Sequence, residues 1–329
     1  MNIVYLIGNG FDINLDLKTS YSSFYKHYNK IESDSDRVKQ LKKKINHSSE
    51  NWSDLEEALG RYTSNINSTE EFDEIFIDIV TKLSAYIKQE ESSLKIATIK
   101  KNLFFQQLSN PVLVLEPSDQ LKYNQHNKEF TNQQDNVDII TFNYTRTIEK
   151  ISEYENRHKE IGKKGPHHVL LRNIVHVHGY IDDRMILGVN DTSQIANPAL
   201  HENEDITNVL IKSNCNLVSK QNIEQVCKGI INQARVICIF GSSMGITDKM
   251  WWEEVGNQLK KGSLLIIFLK VELNYGRTMN YLSSRIERKY IGNFLKKTAL
   301  SEDDKKKVAN NIIISINSDM FKILSKEES

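Results

Sequence analysis

Five short runs of apolar residues constrain the fold of this chain more than any other feature of its sequence. Each run is too short for a helix and ends at a polar or glycine-rich turn. The runs are Ile3–Ile7, Val137–Thr141, Ile174–His178, Val236–Phe240 and Leu264–Leu269. Their apolarity is continuous rather than alternating, which is typical of strands that are covered on both faces in a parallel sheet flanked by helices. We therefore predict an α/β fold. The weaker strand candidates are Met185–Val189, Asn311–Ile316 and Pro111–Leu115.

The stretch from residue 19 to residue 130 has a helical pattern instead. Apolar residues recur there at helical spacing, as at Phe72, Phe76 and Ile79. Ser53 followed by Glu56 predicts a capping box at the start of one helix. We predict that residues 19–130 form a helical insertion or subdomain after the first strand, and that residues 1–18 and 131–329 form the sheet domain.

A later helix is also well signalled. It is predicted from Asp248 to Lys261, with Asp248 or Thr247 as its cap. The helix follows the fourth apolar run directly, so its first turn is predicted to lie at the end of a strand.

Charge and cysteine content exclude several classes of protein. Lys plus Arg and Asp plus Glu number 43 each, so no overall positive field favours nucleic acid or an anionic membrane. The three cysteines form no C-x-x-C pair, which disfavours a structural zinc site or a disulfide framework. The longest apolar run, Leu264–Leu269, is far shorter than the roughly 20 residues of a membrane helix. We expect a cytoplasmic protein without a signal peptide.

The residues after the strands carry the predicted chemistry, because ligands of parallel sheets bind outside the carboxyl ends of the strands. Gly8-Asn9-Gly10 follows the first run, with Asp12 close behind. Two glycines around one residue allow backbone N–H groups to approach a phosphate without interference from a Cβ atom. The alternative is an ordinary turn between strand and helix.

The next two runs end in residues suited to ligand contact or proton transfer. Asn143 can hold a ribose hydroxyl or a water through its paired donor and acceptor, or it can be a turn residue. His176 and His178 are two apart, so in a strand both imidazoles face one side. A metal pair is disfavoured because no further ligand stands at suitable spacing. The better functional interpretation is His178 as a general base, with Gly179 giving the ligand room. The alternative for each histidine is a hydrogen-bonded structural role.

The fourth run ends in Gly241-Ser242-Ser243-Met244-Gly245, which matches the G-x-S-x-G pattern of a nucleophile elbow. In hydrolases with that elbow the histidine follows the serine. All nine histidines of this chain precede Ser243, so the hydrolase interpretation fails. A loop of small residues at a helix N-terminus remains, and such a loop suits phosphate or ribose.

Taken together, these motifs and their order resemble two known groups. Gly-x-Gly, Thr-x-Asn, His-Gly and Gly-Ser-Ser occur in this order in the sirtuin-like NAD-binding fold. A larger set of motifs resembles the AbiH family of bacteriophage abortive-infection proteins. That set comprises Leu6–Asp12, Leu17–Tyr21, Trp52–Glu56, Thr141–Thr145, His176–Gly179 and Leu187–Asp191. The resemblance covers most of the chain, and it implies a Rossmann-like, sirtuin-like sheet domain that binds a nucleotide.

The resemblance also implies roles for individual residues. The AbiH family implies defence against phage, and the sirtuin-like fold implies cleavage of NAD between nicotinamide and ribose by Asn143 and His178. NAD is then the substrate, and no cofactor is required. The residues expected to bind the nucleotide are Gly8, Asn9, Gly10, Asp12, Thr141, Tyr144, Gly179, Gly241, Ser242 and Ser243. We expect the tips at Gly8, Asn143, His178 and Ser242 to converge on one cavity.

The chain also departs from the sirtuin pattern. The four zinc-binding cysteines of sirtuin deacetylases are absent, which disfavours deacetylation. Thr145 stands where sirtuins have an aspartate, and Asp12 replaces a small hydroxyl residue. A carboxylate at position 12 repels a pyrophosphate unless it turns to a ribose or a lysine.

Three functions follow as hypotheses. The first is an NAD glycohydrolase that acts as an abortive-infection effector. The second is a nucleotide sensor without turnover, in which the helical segment passes the signal to a partner. The third is a metal-dependent enzyme acting on nucleic acid through carboxylates. Its carboxylates would be those of Asp12, Glu56, Asp191 and Asp248. Independently of that function, the AbiH resemblance marks Glu56, Tyr144, Asp191 and Asp248 as candidates for a site of their own, and helix capping is the alternative role of Glu56 and Asp248. A phage-derived trigger and a homo-oligomer are compatible with all three.

Overall fold

The computed structural model describes residues 1–47, 49–272 and 280–325. The strands in these ranges are β1 (Asn2–Ile7), β2 (Asp135–Thr141), β3 (Lys159–Lys164), β4 (His167–His176), β5 (Val236–Phe240), β6 (Leu264–Leu269) and β7 (Ile312–Ile316). They form one sheet in the order β3-β4-β2-β1-β5-β6-β7. Neighbouring strands are parallel except β3 and β4, which are antiparallel.

Helices flank this sheet and also fill the chain between β1 and β2. They are α1 (Gly10–Asn14), α2 (Tyr21–Tyr28), α3 (Asp36–His47), α4 (Leu55–Tyr62), α5 (Thr69–Ser92), α6 (Lys101–Ser109), α7 (Pro117–His126), α8 (Thr147–Ser152), α9 (Glu204–Leu210), α10 (Lys212–Val218), α11 (Ile223–Asn232), α12 (Lys249–Lys260), α13 (Asn280–Lys296) and α14 (Glu302–Val308). None of the helices in the described part of the chain has the length and apolarity needed to cross a membrane.

The predicted α/β fold and its mainly parallel sheet are confirmed. The runs at the start of the chain, at Val236–Phe240 and at Leu264–Leu269 are strands, and Ile312–Ile316 lies within a weaker candidate. These strands are recognisable because both of their faces are buried. Ile3, Tyr5 and Ile7 pack into the cluster on one face of the sheet, whereas Val4 and Leu6 pack into the cluster on the other.

Several local predictions were wrong. The third run does not extend to His178, because β4 ends at His176 and the chain turns through Gly179, whose φ is +70°. Met185–Val189 forms no strand and makes only an isolated bridge from Val189 to Ile211. Pro111–Val114 is a 3-10 helix, since proline fixes φ and favours a helix start. The antiparallel strand β3 was missed because its sequence is mostly polar.

The predicted helix caps also differ. Asp54, not Ser53, caps α4, and its Oδ1 accepts hydrogen bonds from the N–H groups of Glu56 and Glu57, each at 3.1 Å. Asp248 occupies the cap position of α12, but its side chain makes no capping bond. Its carboxylate instead faces other side chains, which are described below.

The helices between β1 and β2 pack in two places. Phe104, Leu108 and Tyr123 belong to the same apolar cluster as β1. Residues of α2–α5, such as Ile79, form another cluster with Leu187 and other residues of the 187–211 segment. The cavity described below lies where these helices meet the carboxyl ends of the central strands.

Candidate functional site

A cavity of about 350 Å³ opens at the carboxyl ends of the central strands. Strand order reverses here, because β2 and β4 lie on one side of β1 and β5 to β7 lie on the other. Ligands of open α/β sheets bind at such a switch point, and the volume falls within the usual range for ligand pockets. The predicted site residues that line the cavity are Gly8, Asn9, Gly10, Asp12, Asn143, Tyr144, His178, Gly241, Ser242 and Ser243.

The glycines let two loops touch each other. A Cβ atom on Gly10 would lie 2.5 Å from the Gly241 Cα atom, and a Cβ atom on Gly8 would lie 2.8 Å from the Gly241 oxygen. The N–H of Gly8 donates to the Phe240 carbonyl at 2.9 Å, and that of Gly10 donates to the Gly241 carbonyl at 2.8 Å. These two N–H groups thus have acceptors within the protein, and phosphate binding by this loop stays a prediction. The glycines are required by the close approach of the loops.

Asn143 lines the cavity, and its side-chain amide is unpaired among the described residues. Its backbone is fixed, because its N–H donates to Thr141 Oγ1 at 3.1 Å and its carbonyl lies 2.9 Å from His176 Nδ1. Its side chain is buried, yet neither Oδ1 nor Nδ2 has a hydrogen-bond partner among the described residues. Buried polar atoms are nearly always paired. This amide therefore has the donor and the acceptor that a polar ligand would use.

His178 lies in the same cavity with one ring nitrogen bound. Its Nε2 is 2.9 Å from Asp248 Oδ1, and its ring packs edge-on against Phe142. The side chain is only 4% exposed, so its access to a ligand is through the cavity. A base oriented by a carboxylate in this way is a common arrangement for proton transfer.

A buried cation, Lys212, completes the polar network behind His178. Its Nζ lies 2.7 Å from Glu56 Oε2 and 2.7 Å from Asp248 Oδ1. Burial alone would raise the pKa of Asp248, but the Lys212 ammonium and the His178 imidazole lower this pKa well below its usual value. Burial raises the pKa of Glu56 despite the same ammonium. The pKa values of these two carboxyl groups are therefore shifted in opposite directions.

Asp12 forms a second polar cluster in the cavity. Its carboxylate accepts hydrogen bonds from Thr145 Oγ1 at 2.7 Å and from Thr147 Oγ1 at 2.6 Å. Burial raises the pKa of Asp12 to about 6, against the opposing effect of the two hydroxyl groups. Asp12 thus turns away from the glycine loop and towards the threonines.

Two of the predicted binding residues do not line the cavity. Thr141 is fully buried, and its hydroxyl donates to the Ile7 carbonyl at 3.2 Å and holds the Asn143 backbone. A Cβ atom on Gly179 would lie 1.8 Å from the Arg184 carbonyl oxygen, so this glycine serves the turn. Both residues position their neighbours.

His176 and His178 pair with different carboxylates. His176 Nε2 lies 2.7 Å from Glu149 Oε1, and its ring packs on Tyr180, whereas His178 meets Asp248. The described residues contain no group of three or more side chains arranged to hold a metal ion. Asp191 caps a 3-10 turn by accepting from the Ser193 N–H at 2.9 Å and does not line the cavity.

The remaining predicted residues have local partners. The Asn9 amide donates to the Thr19 carbonyl at 3.1 Å and ties the glycine loop to the start of the helical segment. The Tyr144 hydroxyl donates to the Ile186 carbonyl at 2.8 Å. Ser242 Oγ accepts from the Met244 N–H at 2.9 Å. No hydrogen bond among the described residues joins either Ser242 or Ser243 to His178.

Sequence reasoning missed several residues of this site. Lys212 belongs to none of the sequence motifs, Asp54 was named only within the Trp52–Glu56 motif, and Thr247 was named only as a helix cap. These residues reach the site from segments far apart in the chain. The sequence signal that could have identified Lys212 was a single charged residue at the start of a helix. Among the residues that line the cavity within the described ranges are four carboxylic acids but no lysine or arginine.

Comparison with known proteins identifies a family for this chain. The family model described as bacteriophage abortive infection AbiH matches residues 4–269. No curated protein matches the chain. The matched region contains each of the residues that line the cavity.

Proposed function

Because this chain belongs to the AbiH family of bacteriophage abortive-infection proteins, we propose that it acts in this defence by hydrolysing NAD between nicotinamide and ribose. The observation that carries the proposal is the Asn143 amide, which is buried and unpaired beside a histidine held by a carboxylate. A ribose diol offers both the donors and the acceptors that such an amide requires.

The charge of the cavity supports cleavage of an N-glycosidic bond. This reaction passes through a cationic, oxocarbenium-like state, as in glycoside hydrolysis. The carboxyl groups of Asp54, Glu56 and Asp248 line the cavity. Lys212 Nζ, which lies outside the lining, contacts Glu56 and Asp248 and offsets part of their charge. The negative charge that remains stabilises developing positive charge. The pyrophosphate would lie at the hydroxyl groups of Ser242 and Ser243.

The proposed reaction is hydrolysis of the bond between ribose and nicotinamide. Water adds to the anomeric carbon of the ribose, and the bond to nicotinamide breaks with its electron pair passing to the ring nitrogen. Nicotinamide leaves as a neutral molecule and needs no general acid. His178 accepts the proton of the attacking water, and Asn143 orients the ribose and the water. The products are ADP-ribose, nicotinamide and a proton.

The test measures nicotinamide release from NAD by the purified chain. Asn143→Ala and His178→Ala should each remove activity, the latter by roughly 10²–10⁴-fold, which is the usual contribution of a positioned proton acceptor. His168→Ala is the matched control, because His168 is exposed and pairs with Glu160 at the edge of the sheet, outside the cavity lining. In infected cells, the same two variants should keep NAD intact and lose protection. Full NAD loss with a folded Asn143→Ala variant would contradict the proposal.

A second candidate is a nucleotide sensor without turnover. The observation that favours it is that the cavity is lined from both sides, by Tyr21 and Ile87 of the helical segment and by residues of the sheet loops. A ligand there would bridge two separate apolar clusters. Calorimetric binding of NAD or ADP-ribose without any product would establish this function instead.

A further inference from the structure

Lys212 joins three segments that are distant in the sequence. It begins α10, whereas Glu56 belongs to α4 and Asp248 directly precedes α12. Its Nζ lies 2.7 Å from one oxygen of each carboxylate. Lys212 is 8% exposed, and taking three charged groups out of water is costly unless the geometry is good. A well-packed apolar side chain would hold these segments together without that cost, so the charge calls for a functional explanation.

The same carboxylate oxygen serves both Lys212 and His178. Asp248 Oδ1 is 2.7 Å from the Lys212 nitrogen and 2.9 Å from His178 Nε2. An ionised carboxylate only accepts hydrogen bonds, so the ring proton of a neutral His178 must lie on Nε2. Its Nδ1 is then the basic atom. The opposite tautomer would place a lone pair against the carboxylate.

Lys212 itself does not line the main cavity. It faces a second cavity of about 250 Å³, which shares His178, Thr247 and Asp248 with the first. The network of His178, Asp248 and Lys212 thus separates the two cavities. A ligand in the main cavity meets His178 and Asp248 but not the ammonium group.

The other carboxylate anchors the ammonium from the opposite side. Glu56 Oε2 also accepts from Thr247 Oγ1 at 3.0 Å, one residue before Asp248. The Tyr144 hydroxyl lies 3.3 Å from Glu56 Oε1. Rotation of the Lys212 side chain would break its contacts with both Glu56 and Asp248. The position of the ammonium group is therefore well determined.

We propose that Lys212 is a positioning residue, which fixes Asp248 so that Asp248 holds His178 in the Nε2–H tautomer with Nδ1 as the base. The consequence for turnover rests on the proposed function. The tautomer of His178 does not depend on the proposed function, because it is a property of the protein without ligand. The two can therefore be tested apart.

The experiment is nitrogen-15 NMR of the imidazole groups in the full chain, with His178→Gln used to assign the His178 signals. At pH values where the imidazole is neutral, wild-type protein should show His178 in one tautomer, protonated at Nε2. Lys212→Met removes the ammonium, and both tautomers should then appear. Lys212→Arg keeps the charge and has room towards the second cavity, so it should keep the wild-type tautomer.

A double variant covers the case in which Lys212→Met does not fold. Glu56→Gln combined with Lys212→Met keeps the summed charge of the two positions at zero, and it should show the same mixture of tautomers. Its kcat for NAD should fall on the order of 10-fold to 100-fold, as when outer partners of metal-bound histidines are removed, with little change in KM.

Three outcomes decide the proposal. Protonation of wild-type His178 at Nδ1 would overturn it without any variant. A folded double variant with the wild-type tautomer and full turnover would overturn it as well. A change of tautomer in a protein that never consumes NAD would support the positioning role and would overturn the proposed substrate instead.

Discussion

Asp12 shows how burial changes one residue of the cavity. It is 1% exposed and accepts hydrogen bonds from Thr145 and Thr147. Burial nonetheless raises its pKa from 3.8 to about 6, because desolvation penalises the charged form more than two neutral hydroxyl groups favour it. The folded protein therefore binds the Asp12 proton more tightly than the unfolded chain does.

This pKa predicts a pH-dependent stability difference between wild type and Asp12→Asn. The contribution of protonated Asp12 is fully present below pH 3.8 and is lost as the pH rises through about 6. Between roughly pH 4.5 and 7.5, wild type should lose about 2 kcal/mol of unfolding free energy relative to the variant. Urea unfolding of both proteins at the two pH values measures this. A difference that does not change with pH would contradict the assignment.

At the scale of single elements, α4 brings Glu56 to the network and begins at Asp54. The Asp54 carboxylate accepts from two backbone N–H groups in the first turn, and Asp54 rather than Ser53 is the cap residue. The start of this helix therefore depends on the Asp54 side chain, whereas the sequence pattern predicted Ser53 as the cap.

Asp54→Ala should lower the unfolding free energy by about 1 kcal/mol, the usual cost of losing an N-cap. Ser53→Ala is the matched control and should change stability by less than about 0.5 kcal/mol. Chemical denaturation of the two variants and wild type under the same conditions compares them. Equal losses for both variants would show that the capping assignment is wrong.

At the scale of the whole molecule, the helical segment and the sheet share their cores. The Tyr5 hydroxyl on β1 donates to the Leu108 carbonyl of α6 at 2.9 Å. Phe104 and Tyr123 pack in the cluster that contains Tyr5. Earlier helices pack instead with Leu187. The predicted division into residues 19–130 and the remainder is still a prediction, but these contacts cross it in two places.

We expect residues 19–130 expressed alone to lack a cooperative unfolding transition, because their apolar faces would lose the sheet and the 187–211 segment. Circular dichroism during urea unfolding tests this, with the full chain as the control. The full chain should unfold in a steep transition. A comparably steep transition of the isolated segment would establish it as an independent domain.

The covered strands and the order of the loops that follow them were predictable from local sequence. Runs such as Val236–Phe240 and Leu264–Leu269 are apolar on both faces, and this local property is enough to place them in a covered parallel sheet. The polar strand β3 has no such property and was missed. Because the strands are parallel, their carboxyl ends meet, and this brought Asn143 and His178 to one cavity.

The hydrogen bonds and ion pairs of those residues depend on the tertiary structure. Lys212 pairs with Glu56 across 156 positions and with Asp248 across 36, and no local pattern specifies such pairs. The N–H groups of Gly8 and Gly10 find acceptors on the β5 side, while the Asn143 amide finds none within the described ranges. A hydrogen bond depends on where two distant segments meet, so composition and spacing along the chain cannot decide which polar groups are left for a ligand.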